Sequence, residues 1–337
     1  METVPSRIIK QIIIIIILGI VGFLIFYELL PYLSGFLGAI TLYILFKKPM
    51  EKLKAKGWNS SLAASLLMFL SFIGILIPVF GITLMLSNKI ENAASNAEKL
   101  FSALQQYLIK FEDTFGHDFY KDLDVTGGTS WVGENAKVLI GSTFELFVAI
   151  AIMYFLLYFM LTKPKQVKES IYNYAPFSEK HLKILVKESS KMIRSNALGI
   201  PIVALSQGIV ALIGFLIFGI ENPLFWFVIV VIGSMIPFVG TLVGVIPVFL
   251  ITLASGNDYA AYGILIYGLV VVGSTDNIIR LYVLKKMDNV HPLITLIGVI
   301  IGIPLFGFIG LVFGPIIISL FFIILKMYKI EYVDKRF

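Results

Sequence analysis

Asp276 and Arg280 are the two residues of this sequence best placed to do chemistry. They stand four positions apart within an apolar stretch, so both would lie on one face of a helix. Ionisable side chains are costly inside a bilayer and usually serve a function there. The carboxylate could exchange a proton for a cation, and the pair could hold or gate a polar solute. A structural ion pair, with Arg280 reaching toward water, is the alternative.

Few other polar side chains accompany this pair. Gln207, Thr241 and Asn277 could hydrogen-bond a polar solute, or could only join neighbouring helices, which is the commoner use of such residues in membranes. The chain contains no cysteine, no G-x-x-x-x-G-K-[ST] phosphate loop and no H-E-x-x-H zinc motif. We therefore expect neither an enzyme nor a metal or cofactor site, while coupling to H⁺ or Na⁺ stays open.

The composition indicates a protein that crosses the bilayer several times. Of the 337 residues, 58% are hydrophobic and 14% are charged, and the mean hydropathy is +0.93. A soluble domain could not bury so much apolar surface. The net charge of +6 falls in short blocks beside apolar runs, a pattern that sets orientation in the membrane rather than nucleic-acid binding. The expected fold is all-α, with the lipid bilayer as a partner.

Two apolar runs are too long to cross a bilayer once. They cover 223–255 and 292–325, and both contain the pattern I-P-x-x-G. Each would measure roughly 50 Å as a helix, against a hydrocarbon core of about 30 Å. Proline and glycine break helices, so we expect re-entrant hairpins with corners at Pro237/Gly240 and Pro304/Gly307. Broken helices expose backbone groups that can bind a solute, although Gly and Pro are also simply common in membrane helices.

Charge and periodicity divide the chain into five parts. The prediction is about six full spans plus the two hairpins, or about eight apolar segments. Residues 87–137 form a predicted insert with a heptad repeat of apolar residues. The partner of that apolar face is either a neighbouring subunit or a return helix of the same chain. The parts are three N-terminal spans in 1–86, the first two as a hairpin; an extracytoplasmic, coiled-coil-like helical insert in 87–137; a fourth span and a cytoplasmic amphipathic helix in 138–195; a fifth span and the first hairpin in 196–258; and a further span and the second hairpin in 259–337.

Positive residues predict which side of the membrane each loop occupies. From Ser195 through Ile279 there is no lysine or arginine. If both broken runs are hairpins, every basic block, including Lys285 and Lys286, lies on the cytoplasmic side with both chain termini. The last two parts of the chain would then form an inverted-topology repeat, which is the architecture of alternating-access carriers.

The chain also resembles a known family over nearly its whole length, with the specific motifs concentrated from Asn196 onward. The run from Ile236 to Gly240 with Gly244 and Pro247, the segment Asp276–Arg280, His291-Pro292-Leu293, and the run from Gly302 to Pro315 are similar to the autoinducer-2 exporter (AI-2E) family of bacterial membrane transporters. The resemblance implies a homo-oligomer, with a pentamer as one such assembly, in the bacterial plasma membrane. It also implies export of a small hydrophilic quorum-sensing signal, although some members are described as sodium(lithium)/proton antiporters.

Three functions follow as hypotheses. The first is secondary active export of a small hydrophilic molecule by alternating access. The second is antiport of sodium or lithium against protons, with Asp276 as the exchanging carboxylate. The third is a membrane scaffold organised by the heptad segment, without transport.

Overall fold

A computed structural model describes residues 6–77, 80–81, 143–175, 177–236, 240–275, 278–279 and 292–329. Within these ranges the chain is helical and contains no strand, which confirms the predicted all-α class. Five helices are long and apolar enough to cross a membrane, or six when one bent pair counts as a span. In chain order the helices are α1 (Ser6–Leu29), α2 (Leu33–Ala55), α3 (Ser60–Ile77), α4 (Thr143–Thr162), α5 (Pro164–Tyr174), α6 (Glu179–Ile217), α7 (Pro223–Gly233), α8 (Gly240–Ala254), α9 (Asp258–Tyr267), α10 (Pro292–Phe306) and α11 (Gly310–Tyr328). The predicted insert at 87–137 lies outside the described residues.

The first two helices do not fold back on one another. A 3₁₀ turn, Leu30–Tyr32, joins α1 to α2, and Lys10–Ala55 is one helical stretch of 46 residues. The predicted hairpin of the first two spans is therefore wrong. Pro31 stands in the first turn of the 3₁₀ segment, where a missing backbone N–H costs little, so it does not reverse the chain. The described side chains of α1 are all exposed.

Helices α2, α3 and α4 form an N-terminal bundle. Small residues let the helices approach closely, and the hydroxyls of Ser71 on α3 and Tyr154 on α4 lie 3.2 Å apart in a hydrogen bond. The chain then bends by 99° between α4 and α5. The bundle core consists of Ala39, Met50, Ala63, Ala64, Leu67, Leu157 and Leu161.

Helix α6 is the longest single α-helix among the described residues, and both hairpins of the C-terminal half pack on it. Its 39 residues would extend about 58 Å. It begins at Ser178, whose side chain accepts a hydrogen bond from the backbone N–H of His181. The predicted amphipathic segment and the predicted fifth span are both parts of this helix, and the apolar face at Leu182, Leu185 and Ile193 is buried.

Helices α7 and α8 form a helical hairpin at the first predicted position, and its re-entrance into the membrane stays a prediction. Gly233 and Gly240 face one another at its closed end, where a Cβ on either would collide with the other's backbone. One step away from the corner, Gly244 packs against Val230. At about 16 and 22 Å, the two arms are too short to cross a hydrocarbon core of about 30 Å.

Helices α10 and α11 form an antiparallel helical hairpin at the second predicted position, and its re-entrance into the membrane stays a prediction. Two glycine pairs, Gly302 with Gly310 and Gly298 with Gly314, bring the two backbones into contact. The corner begins at Gly307, which has φ +61°, a conformation that glycine adopts without strain. Pro304 lies inside the last turn of α10 and does not end the helix. The arms measure about 22 and 28 Å.

Helix α9 runs antiparallel to α6. Tyr267 meets Val210 and Gly214, whereas Phe218, further along α6, meets the earlier residue Gly263. Opposite directions of these two spans are what an inverted repeat requires. After Tyr267 the helix continues as a π-helical turn, Gly268–Val272.

Candidate functional site

The two hairpins pack against different stretches of α6. The first contacts the C-terminal half, where Gly208 accommodates Val231 and Phe227 of α7. The second contacts the N-terminal half, where Ile193 packs with Val312 and other residues of α11. Along α6 the two contacts are 11 or more residues apart, which is about 16 Å. The segment 197–207 of α6 between them is the candidate site.

This segment of α6 carries a proline and a buried amide. Pro201 cannot donate the backbone hydrogen bond that a helix would make to the carbonyl of Ala197, so that carbonyl lacks its usual helical partner. Gln207 is 2% exposed and lies on the buried face of the helix, next to Gly208. A glutamine amide offers both donors and an acceptor, so it can bind a polar solute.

Ser234 lies at the corner of the first hairpin, directly after the last residue of α7. It is 4% exposed, and its hydroxyl has no hydrogen-bond partner among the described residues. A buried hydroxyl without a partner is costly and uncommon in native structures. Because Val231 contacts Gly208 and Ser234 lies one turn further toward the corner, we place Ser234 near the level of Gln207.

The second hairpin reaches α6 through a polar contact. The side-chain Nδ2 of Asn196 donates a 3.3 Å hydrogen bond to the carbonyl oxygen of Val312. Val312 lies five residues beyond Gly307, so this bond holds the corner end of the hairpin on α6. Phe306 and Ile309 at the corner also pack against the cluster that joins α2, α6 and α11.

A π-helical turn interrupts α9 before the predicted ion pair. Such turns are rare and often occur at functional sites, because the widened turn leaves carbonyls without regular partners. The hydroxyl of Thr275 donates a 2.8 Å hydrogen bond to the carbonyl of Val271 within this turn. The sequence reaches Asp276 one residue later, outside the described residues.

The predicted site residues have different outcomes. Gln207 and Gly240 are buried, Thr241 is half-buried, and Pro304 and Gly307 are exposed in the protomer. Their binding roles stay predictions, and no described contact brings the Gly240 and Gly307 corners together. Pro237, Asp276, Asn277 and Arg280 lie outside the described residues.

Three features were not predicted from the sequence. These are the buried hydroxyl of Ser234, the bond from Asn196 to Val312, and the π-helical turn. Only Ser234 could have been recognised from the sequence, because it is a polar residue three positions before Pro237, at the end of an apolar arm. The other two depend on contacts between distant parts of the chain and on a local widening of the helix that no residue type specifies.

Comparison with known proteins gives one family. The sequence model described as AI-2E family transporter matches residues 13–330. The match includes α6, both hairpins and the segment Asp276–Arg280.

Individual relatives are distant and carry only provisional descriptions as transport proteins. One from Buchnera aphidicola is 26% identical over 94% of this chain and 91% of its own length. One from Aquifex aeolicus is 24% identical over 59% of this chain, and the alignment spans 57% of that relative. One from Bacillus subtilis, YrrI, is 24% identical over 53% of this chain and 51% of its own length. With the Aquifex and Bacillus proteins, the chain therefore matches little more than half of the relative's length.

Proposed function

The chain belongs to the AI-2E family of transporters, and we propose that it is a secondary active carrier that exports a small hydrophilic molecule of the autoinducer-2 type by alternating access. The family and the relatives indicate a membrane transport protein rather than an enzyme. The solute, the direction of movement and the mechanism are the proposal.

The observation that carries the proposal is the pair of hairpins on one long helix. The arms of the first hairpin and α10 of the second are too short to cross the hydrocarbon core. Between the two contacts, α6 carries Pro201 and the buried amide of Gln207, and we place the unpartnered hydroxyl of Ser234 near that level. A buried amide and a buried hydroxyl without a partner suit a solute with several hydroxyl or carbonyl groups.

Alternating access would use the different attachments of the two hairpins. The first hairpin opens at the end of the bundle where α6 ends and α9 begins, and we assign this end to the outside. The second would open to the cytoplasm. Each hairpin would then control access from one side, and the bond from Asn196 to Val312 would form when the inner hairpin is closed on α6.

The remaining predicted residues take roles in this scheme. Asp276 and Arg280 would hold or gate the solute, with Asn277 and Thr241 as further hydrogen-bonding groups. The corner residues Pro237, Gly240, Pro304 and Gly307 would present backbone groups to it. Coupling to H⁺ or Na⁺ would supply the driving force, with no other cofactor.

The test is solute flux from reconstituted liposomes. We expect wild-type protein to release trapped autoinducer-2, and Gln207→Met to lower the initial rate about tenfold, because it keeps side-chain volume but removes the amide. Asp276→Asn and Arg280→Gln should each reduce the rate. Thermal unfolding of each variant in detergent separates lost binding from lost folding. Wild-type rates in folded Gln207→Met would sink the proposed site, and no release by wild-type protein would sink the proposed solute.

A second candidate function, sodium(lithium)/proton antiport, is favoured by the charges of residues 196–279. This stretch has three carboxylates, Glu221, Asp258 and Asp276, and no lysine or arginine, so nothing within it repels a cation. The same liposomes distinguish the two functions. A sodium-dependent collapse of an imposed pH gradient, abolished by Asp276→Asn, would identify the antiporter.

The cellular setting is also proposed. We place the protein in the bacterial plasma membrane as a homo-oligomer, with a pentamer as one such assembly and the C-terminus in the cytoplasm. The exposed apolar surface of α1 gives lipid or a second copy ample area to contact. A scaffold without transport predicts that deletion of residues 87–124 abolishes function, whereas a carrier would retain flux from liposomes.

A further inference from the structure

A groove runs along α9 on the surface of the C-terminal half, away from α6 segment 197–207. It has a volume of about 620 Å³ and follows one stripe of the helix from Asp258 to Val271. At about 1.5 Å per residue, this stripe is about 20 Å long. The floor is smooth because Gly263, which lacks a side chain, lies directly over the ring of Phe218.

The groove changes from polar to apolar along its length. At one end stand Asp258 and two exposed tyrosines, Tyr259 at 85% and Tyr262 at 53% exposure. Further along, the wall is formed by Ile266, 62% exposed, and Val270, 59% exposed. A groove that is polar at one end and apolar for the rest fits an amphiphile lying along the helix.

Aromatic contacts hold the tyrosines at the two edges of the polar end. The ring centroid of Tyr259 lies 6.4 Å from that of Phe218 on the α6 side. The ring centroid of Tyr262 lies 5.8 Å from that of Phe249 on the α8 side. One ring contact orients each tyrosine at the polar end, which lowers the entropy lost on binding.

The charge of the polar end selects the headgroup. Asp258 is an acceptor when ionised, and residues 196–279 contain no lysine or arginine that would attract an anion or neutralise this carboxylate. The tyrosine hydroxyls can donate hydrogen bonds to phosphate oxygens. Together these groups match a zwitterion that carries an ammonium group next to a phosphate.

We propose that this groove binds one phospholipid with an ethanolamine headgroup. The ammonium group lies at Asp258, the phosphate at Tyr259 and Tyr262, and one acyl chain lies along Ile266 and Val270. Beyond the headgroup end, the groove from Gly263 to Val271 is about 12 Å long, which accommodates most of an acyl chain in one leaflet, about 15 Å of a 30 Å hydrocarbon core. The inference does not depend on the proposed transport function, because the groove shares no residue with the 197–207 segment of α6.

The experiment is competition between two lipids on the full-length chain. Protein purified in detergent is mixed with equal amounts of phosphatidylethanolamine and phosphatidylglycerol, and retained lipids are counted by native mass spectrometry. We expect retention of one phosphatidylethanolamine in preference to phosphatidylglycerol. Asp258→Asn should reduce that preference about two- to fivefold, the range of a partly exposed ion pair.

Two tryptophan variants test the apolar part. Ile266→Trp fills the groove and should remove the bound lipid, whereas Ile213→Trp, on an exposed face of α6 outside the groove, should leave it in place. Both substitutions are at exposed positions, so folding should persist in both. Equal retention of the two lipids by wild-type protein, or unchanged retention in Ile266→Trp, would overturn the proposal.

Discussion

The hydroxyl of Tyr267 on α9 donates a 2.9 Å hydrogen bond to the backbone carbonyl of Val210 on α6. The ring of Tyr267 lies against Gly214, where any side chain would collide with it. The bond and the glycine together fix the register of two antiparallel helices. The first hairpin packs against both of these helices, α7 on α6 and α8 on α9.

Removal of this hydroxyl should weaken the C-terminal half. Tyr267→Phe loses one partly buried interhelical hydrogen bond, worth about 0.5 to 1.5 kcal/mol. We expect a lower thermal unfolding midpoint in detergent. Tyr259→Phe is the matched control because Tyr259 is 85% exposed. Equal midpoints in the two variants would show that the bond does not contribute to stability.

The two helical hairpins could be predicted from the sequence. An apolar run longer than the thickness of the membrane must bend, and proline and glycine are the residues at which it can do so. The exact corners of the hairpins could not be predicted. Pro304 interrupts a pattern but fits inside α10, whereas Gly307 makes the turn because it adopts φ +61°. Pro31 led to the wrong prediction of a hairpin between the first two spans. The first turn of a helix accepts proline, so the chain does not reverse there.

The glycine pairs of the second hairpin give a sharp stability prediction. Gly314→Ala places a methyl group against the backbone of Gly298, so α10 and α11 must separate at a cost of about 1 to 3 kcal/mol. Gly22→Ala on α1 is the control, because a Cβ there meets nothing within 4 Å. That control should be neutral or slightly stabilising, since alanine favours helix.

Unfolding midpoints in detergent provide the measurement. A midpoint for Gly314→Ala as high as that of Gly22→Ala would contradict the close contact of the two backbones.

The proposed orientation can be tested with single cysteines, since the chain has none of its own. Asn257 caps α9 at one end of the bundle, and Lys183 lies in the exposed first turns of α6 near the other end. We expect Asn257→Cys to react with a membrane-impermeant maleimide on intact cells. Lys183→Cys should react only after the cells are permeabilised. Labelling of both from the same side would contradict the assigned topology.

The candidate site was less predictable than the fold. Gln207 could be recognised because a glutamine is conspicuous in an apolar helix, but its burial depends on the side of α6 that meets α7. The importance of Ser234 depends on the absence of a hydrogen-bond partner, which is a property of packing and not of residue type. Asn196 similarly acquires its role only when Val312, 116 residues later, folds against it.

Ser234→Ala tests whether that hydroxyl serves the solute. A structural hydroxyl with a partner costs stability when it is removed, whereas a buried hydroxyl without one relieves a penalty of about 1 to 3 kcal/mol. We therefore expect Ser234→Ala to unfold at the same or a higher temperature than wild-type protein. If the hydroxyl binds the solute, flux should nevertheless fall, by about five- to tenfold for one hydrogen bond of about 1 to 1.4 kcal/mol.

Ser234→Ala is informative because its expected effects on the unfolding temperature and on flux have opposite signs. Ser189→Ala is the control, because the hydroxyl of Ser189 already bonds the carbonyl of Leu185 at 2.6 Å on α6, outside the 197–207 segment. It should change neither flux nor the unfolding midpoint by more than a small amount. A Ser234→Ala protein that is less stable would indicate a structural hydroxyl with a partner in the membrane. A Ser234→Ala protein that is equally stable and fully active would show that the solute does not bind the hydroxyl of Ser234.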